Sequence, residues 1–197
     1  MTALTLASTS ATRQAILRNA GVVFEAVSPG VDEEAAKAGL LAEGATPRDV
    51  ADALAEMKAF KVSTKRSGLV IGSDQTLDLD GVLLDKVDTV EAARERLIQL
   101  RGKAHKLHSA VVVARDGQPI WRVVETAKLS VRDFSDSWLD GYLERNSPDI
   151  LWSVGCYLLE GEGVQLFDRV DGDYFGILGL PVTRLFDFLR LHGALQA

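Results

Sequence analysis

The sequence predicts an α/β fold with a mixed sheet, and three observations carry that expectation. Strand-like and helix-like segments alternate along the 197 residues. The stretch "GLVIGSD" (68–74) is almost continuously apolar before its aspartate, as in a strand covered on both faces. The stretch "VVVARDGQPIWRVVE" reads as an antiparallel hairpin turning at Asp116-Gly117.

Taken in order, "ALTLAS" (3–8) is a short buried strand. The next helix is capped by Ser10 or Thr9, buries Ala15, Ile16 and Ala20 with Leu17 beside them, and stops at Gly21. "VVFEAVSPGVDEE" gives a second strand and a turn at Pro29-Gly30. A helix then begins at the Thr46 cap, with Pro47 at its first position and Asp49 in its first turn. The strand of "GLVIGSD" ends at Asp74, and "DLDG" forms a hairpin turn at Asp80-Gly81 whose Asp78 and Asp80 are solvated. Thr89 caps a helix that stops at Gly102, and residues 103–134 form a meander. "SDSWLDGYLERN" is a capped amphipathic helix, and "GCYLLEGEGVQLFDRVDGDYFGILGLP" brings two short strands and Gly-rich connections. "PVTRLFDFLRLHGAL" closes as an amphipathic helix.

Bulk composition narrows the function. Apolar residues make up 47 % and charged residues 25 %, which fits an ordinary globular protein. The net charge of -6 argues against a broad nucleic-acid surface. No apolar run reaches the ~18 residues of a membrane-spanning helix. The first residues have no basic start and no long apolar stretch, so no signal peptide is expected. Cys156 is the single cysteine, which fits a reducing cytoplasm.

Three clusters carry candidate chemistry. In "LASTSATRQ" a strand runs through hydroxylated residues into a helix N-terminus bearing Arg13. Free N–H groups, Ser8 and Ser10 hydroxyls and a guanidinium suit a phosphate, and the same pattern suits a capped helix with a surface arginine. In "GVDEE", Asp32, Glu33 and Glu34 follow a turn, with Lys58 on a later helix. They can hold a divalent cation or form a solvated acidic loop. In "LVIGSDQTLDLDGVLLDK", Gly72 and Ser73 permit close backbone approach to Asp74, and the hairpin returns Lys86 towards it. A strand-end carboxylate facing a crevice is where open α/β sheets place chemistry. His105 and His108, three apart in a strand, face opposite sides and offer no metal spacing. Cys156 is expected to pack as a small apolar group.

Together these blocks resemble the Maf family of nucleoside triphosphate pyrophosphatases. The resemblance runs through "LASTSATRQAILRNAGVVFEAVSPGVDE", "LAEMKA", "IGSDQTLDLDGVLLDK", "LRGKAHKLHSAVVV" and "GCYLLEGEGVQLFDRVDGDYFGILGLPV", five blocks in the family's order. It implies one domain over residues 1–197, with two lobes, a mixed sheet and a cleft between the lobes. It implies hydrolysis of a nucleoside triphosphate to the monophosphate and pyrophosphate, and it implies a homodimer. Asp74, Glu33 and Lys86 would be catalytic. Glu33 and Asp74 would hold Mg or Mn. Ser8, Ser10, Arg13, Lys58, Gln75 and Glu160 would bind substrate.

"SDQ" and Glu160 look more like the 7-methyl-GTP branch than the dTTP/UTP branch, which usually has Ala-Asp-Thr and a Gln in those places. A carboxylate suits the positive charge of an N7-methylated guanine. The alternatives are a dTTP/UTP pyrophosphatase and a nucleotide-binding regulator without turnover. Departures at five positions bear on them. Ser10-Ala11-Thr12-Arg13 stands for the usual Ser-Pro-Arg-Arg, losing one arginine at Thr12. Asp85-Lys86-Val87 stands for Gly-Lys-Pro, adding a negative charge, and Arg101 replaces a serine.

Overall fold

The computed structural model describes residues 2–196. One mixed sheet organises it. Its strands are β1 (Leu4–Ala7), β2 (Glu25–Val27), β3 (Leu69–Leu79), β4 (Val82–Leu84), β5 (Ala104–Arg115), β6 (Gln118–Val131) and β7 (Phe167–Asp171). The order is β2-β1-β3-β5-β6-β7, with β4 also paired to β3. β1 is parallel to β2 and β3, and the remaining pairs are antiparallel. The helices are α1 (Ala11–Asn19), α2 (Glu33–Ala42), α3 (Pro47–Ser63), α4 (Val90–Leu100), α5 (Asp136–Asn146), α6 (Tyr174–Ile177) and α7 (Val182–Leu191).

Local chemistry explains most of the boundaries. Ser10 caps α1 by accepting from the Arg13 amide. Thr46 and Asp49 cap each other's backbone at the start of α3, a reciprocal capping box, with Pro47 just inside. Thr89 and Ser135 cap α4 and α5. Asp80-Gly81 and Asp116-Gly117 all have positive φ, the geometry that two-residue hairpin turns require.

β3 carries the main departure from the sequence expectation. It does not end at Asp74; it runs five residues further, to Leu79. β5 pairs with it continuously from Val70 to Asp78 and holds it extended. The partners that change lie on the opposite edge. There β1 covers Leu69–Gly72 and β4 covers Leu77–Leu79. Residues 73–76 are left between them, so Asp74 sits in a gap in the sheet and not at a strand end.

Four smaller expectations are also corrected. Asp78 is buried, not solvated, because His108 on the neighbouring strand and the Gly81 amide donate to it. Glu33 and Glu34 open helix α2, capped by Asp32, and do not form a loop. "YLLEGEG" forms no strand; it leads into a 3₁₀ turn before β7, the one strand of that block. In α1 the buried residues are Ile16 and Leu17, while Ala15 and Ala20 are exposed.

Two apolar cores flank the gap. One gathers Leu6, Leu17, Ile71, Leu185 and Leu189 under α1 and α7. The other gathers Leu77, Leu97, Leu129, Phe134 and Tyr142 under α4 and α5. Cys156 packs in the second, buried, its thiol pushed up to about 11 by loss of water. Between the cores α3 lies against β3 and β5 through Ala51, Ala55 and Ala59, so the helix comes very close. Among the described residues no helix is long and apolar enough to cross a membrane.

Candidate active site

A cleft of about 940 Å³ opens at the gap in the sheet. That volume is in the range of ligand sites, roughly 300–1,000 Å³. Its lining includes every residue that the sequence singled out for the site: Ser8, Ser10, Arg13, Glu33, Lys58, Asp74, Gln75, Lys86 and Glu160.

Its centre is a charge cluster built by three elements. α3 delivers the buried Lys58, whose Nζ lies 2.6 Å from Asp74 Oδ1 on β3 and 2.9 Å from Glu33 Oε1 on α2. α3 approaches this closely because Gly72 has no side chain: a Cβ there would lie 2.6 Å from the Ala59 nitrogen and collide with the Ala55 carbonyl. Burial pushes the Asp74 carboxyl up, and Lys58 and Arg13 pull it back down. A buried carboxylate at this depth is tolerable because it is paired and hydrogen-bonded.

The N-terminus of α1 forms one wall. Ser8 Oγ accepts from the Ser10 amide at 3.2 Å, and Ser10 Oγ accepts from the Arg13 amide at 3.4 Å. Among the described residues no partner takes the Ala11 or Thr12 amides, the orphan donors of a helix start. The Arg13 guanidinium donates from Nε to Gly179 O at 2.9 Å and from Nη1 to Ser73 O at 3.0 Å. Ser73 Oγ donates to the same Gly179 carbonyl at 2.9 Å. The Ser73 carbonyl is available because the β1 ladder ends at Gly72. Arg13 is thus fixed on two main-chain carbonyls while lining the cleft, and its Nη2 makes no hydrogen bond among the described residues.

Gln75 is engaged differently from a simple substrate contact. Its Nε2 donates to Ser109 Oγ, Gly176 O and Ile177 O at 2.8–3.2 Å, tying β3 to α6. Lys86, on the opposite wall, makes no ion pair or hydrogen bond among the described residues. Partial loss of water and the nearby Arg13 draw its pKa below the ordinary lysine value, opposed by Glu33 and Asp74. Asp85, the added negative charge, pairs with Lys37 of α2, and its carbonyl accepts from Arg96 Nη1 at 2.6 Å. Val87 packs against the second core. Arg101 bonds Phe134 O and Asp136 at 2.8–3.0 Å, away from the cleft.

Other parts of the lining differ in character. Glu160 is exposed, and the same cleft is lined by Asp149 and by the indole of Trp152, which is 77 % exposed. Lys37, Asp149 and Trp152 are among the cleft residues that sequence reasoning missed. Lys37 is four residues after Glu33, a spacing that puts both on one helix face, so recognising α2 as a helix would have found it. Trp152 follows no periodic pattern.

The histidines stand apart from the cleft's chemistry. His105 Nε2 lies 2.6 Å from Tyr157 Oη, and His108 bonds Thr126 and Asp78. Among the described residues no three or more His, Cys, Asp or Glu side chains group as a metal site. The Glu33–Asp74 pair nevertheless fits a hard cation. Two carboxylate oxygens already converge on one positive charge, and each group keeps a second oxygen.

A family model described as "Maf-like protein" matches residues 3–192. The chain is 73 % identical over 195 residues to a Caulobacter vibrioides protein named nucleoside triphosphate pyrophosphatase, covering 99 % of this chain and 98 % of that one. It is 52 % identical to a protein of the same name from Ruegeria pomeroyi, covering 98 % of each. A third of that name, from Sphingopyxis alaskensis, is 50 % identical, covering 96 % and 97 %. With this match over almost its whole length, and with its central Lys58–Asp74–Glu33 cluster set in a sheet gap, the chain belongs to the Maf-like protein family.

Proposed function

We propose that the chain hydrolyses nucleoside triphosphates to the monophosphate and pyrophosphate. The observation that carries this is the Glu33–Lys58–Asp74 cluster placed beside a helix N-terminus with uncommitted donors. The relatives' printed name supports it.

The phosphates lie along the start of α1. The Ala11 and Thr12 amides, the Ser8 and Ser10 hydroxyls and Arg13 Nη2 donate to them. Lys86 faces the charge that develops as the bond breaks, and Lys58 holds Asp74 in place. Asp74 orients a water and takes its proton as the water oxygen attacks the α-phosphorus. The bond between the α-phosphorus and the bridging oxygen breaks, and pyrophosphate leaves with that oxygen. A carboxyl pushed up from its ordinary value suits this role as base. Glu33 and Asp74 would hold Mg or Mn, which supplies charge neutralisation and a more acidic bound water.

The base lies against Glu160, Asp149 and Trp152. The two carboxylates give that lining negative charge, and Trp152 gives it a stacking face. That combination favours a positively charged base such as 7-methylguanine over a neutral pyrimidine. The cellular role follows as removal of modified nucleotides. A second reading, a regulator that binds without turnover, draws on Thr12 and Asp85. The Lys37–Asp85 pair weakens it, because the extra negative charge is already met.

The test is pyrophosphate release from 7-methyl-GTP, GTP, dTTP and UTP with Mg or Mn, by the wild-type chain and by Asp74→Asn. The expected result is fastest release from 7-methyl-GTP and near loss of release in the variant. Full activity of Asp74→Asn would remove Asp74 from the mechanism. Binding without release under both metals would favour the regulator.

A further inference from the structure

We propose that Lys37 is a phosphate-binding residue of the cleft, held in reserve by Asp85 until a triphosphate displaces that carboxylate. The proposal rests on the reading of the chain as a triphosphate hydrolase.

The argument starts from what each cation in the cleft is already doing. Lys58 is shared between two carboxylates and is buried. Arg13 is fixed on two main-chain carbonyls. Lys86 stands without a partner among the described residues. Lys37 is held by one carboxylate only, and that carboxylate is 55 % exposed. An exposed ion pair contributes little, because water solvates the released carboxylate well. A triphosphate brings several negative charges to the same ammonium, so the exchange favours it.

Placement supports the exchange. Lys37 and Glu33 are four apart on α2, so both side chains reach the cleft from one helix face. Asp85 directly precedes Lys86 on the opposite wall. The pair therefore bridges the cleft between α2 and the segment after β4. Arg96 donates to both Asp85 O and Val154 O at 2.6–2.7 Å and fixes that segment through main-chain atoms. Releasing the Asp85 carboxylate leaves those bonds intact and keeps Lys86 in position. Lys37 then supplies the cation that the sequence lost at Thr12.

The experiment measures binding of inorganic tripolyphosphate by calorimetry and triphosphate turnover, for wild type, Lys37→Met, Lys37→Arg, Asp85→Asn and the Lys37→Met/Asp85→Asn double variant. Lys37→Met is expected to weaken tripolyphosphate binding about tenfold, the effect of one charge-assisted contact. It should raise KM more than it lowers kcat, and Lys37→Arg should restore most of the affinity. Asp85→Asn should tighten binding, and that gain should shrink in the Lys37→Met background. Wild-type affinity in Lys37→Met, or an Asp85→Asn gain undiminished in the double variant, would overturn the proposal while leaving a turning-over wild type intact. A wild type that neither binds tripolyphosphate nor releases pyrophosphate overturns the hydrolase reading, and this inference with it.

Discussion

Lys58 Nζ lies 2.6 Å from Asp74 Oδ1 with both side chains buried, and Glu33 meets the same ammonium from the exposed side. The two halves of this pair are not equivalent. Lys58 has a second carboxylate to fall back on, whereas among ion pairs within the described residues Asp74 has Lys58 alone.

Removing the cation should therefore cost more than removing the anion. Lys58→Met leaves a buried carboxylate unpaired, and breaking a buried pair in this way costs about 3–5 kcal/mol. Asp74→Asn leaves Lys58 on Glu33 and should cost only about 1–2 kcal/mol, the loss of one charge-assisted bond. Urea unfolding of both variants checks the order, and equal losses would contradict it. Both variants should lose turnover.

Gly72→Ala should damage stability and activity together. Its Cβ would meet the Ala55 carbonyl and the Ala59 amide, which are main-chain atoms of α3 and cannot rotate away. Overpacking of this kind costs roughly 1–3 kcal/mol. The shifted helix carries Lys58, so turnover should fall more than tenfold even where the protein is fully folded. Thermal melts and kcat on the same sample separate the two effects.

The kcat/KM profile should be narrower than isolated groups would give. In the proposed mechanism Asp74 acts ionised, and burial raises its pKa, so the acid limb should move up from the ordinary aspartate value of about 3.9. In the same mechanism Lys86 acts protonated, and its pKa is lowered, so the basic limb should move down from about 10.4. A pH series of initial rates checks both signs. Lys86→Arg should carry the basic limb upward again.

These expectations show where the sequence was readable. The α3 start was legible because Thr46, Pro47 and Asp49 act within one turn. The sequence singled out Asp74, which does line the cleft, but its place in the strand was not legible. β3 continues to Leu79 because β5, whose paired residues lie 28 to 44 positions later, pairs with it from Val70 to Asp78. Asp78 looked like a hairpin residue for the same reason: its partner His108 is 30 residues away. α2 was missed because it buries no residue fully, and Lys37 was missed with it.

His105 should make the protein acid-sensitive. Burial lowers its pKa to about 4 from 6.5, and its Nδ1 is buried without a partner. The unfolded chain binds this proton first, so the stabilisation is complete above about pH 6.5 and is lost as pH falls towards 4. The full effect is about 3 kcal/mol for a shift of this size. Unfolding free energies at pH 7 and 4.5 should differ less in His105→Gln than in wild type.

The carbonyl of Gly179 fixes both Arg13 and Ser73, joining residues 166 and 106 positions apart. During synthesis the loop at Ser8–Arg13 and the cluster at Asp74 leave the ribosome well before that carbonyl does. A nascent chain can therefore shape most of the nucleotide cleft but cannot aim its arginine. On the proposed reading, the arginine is held ready for phosphate only once the segment through Gly179 has docked, when the chain is nearly whole.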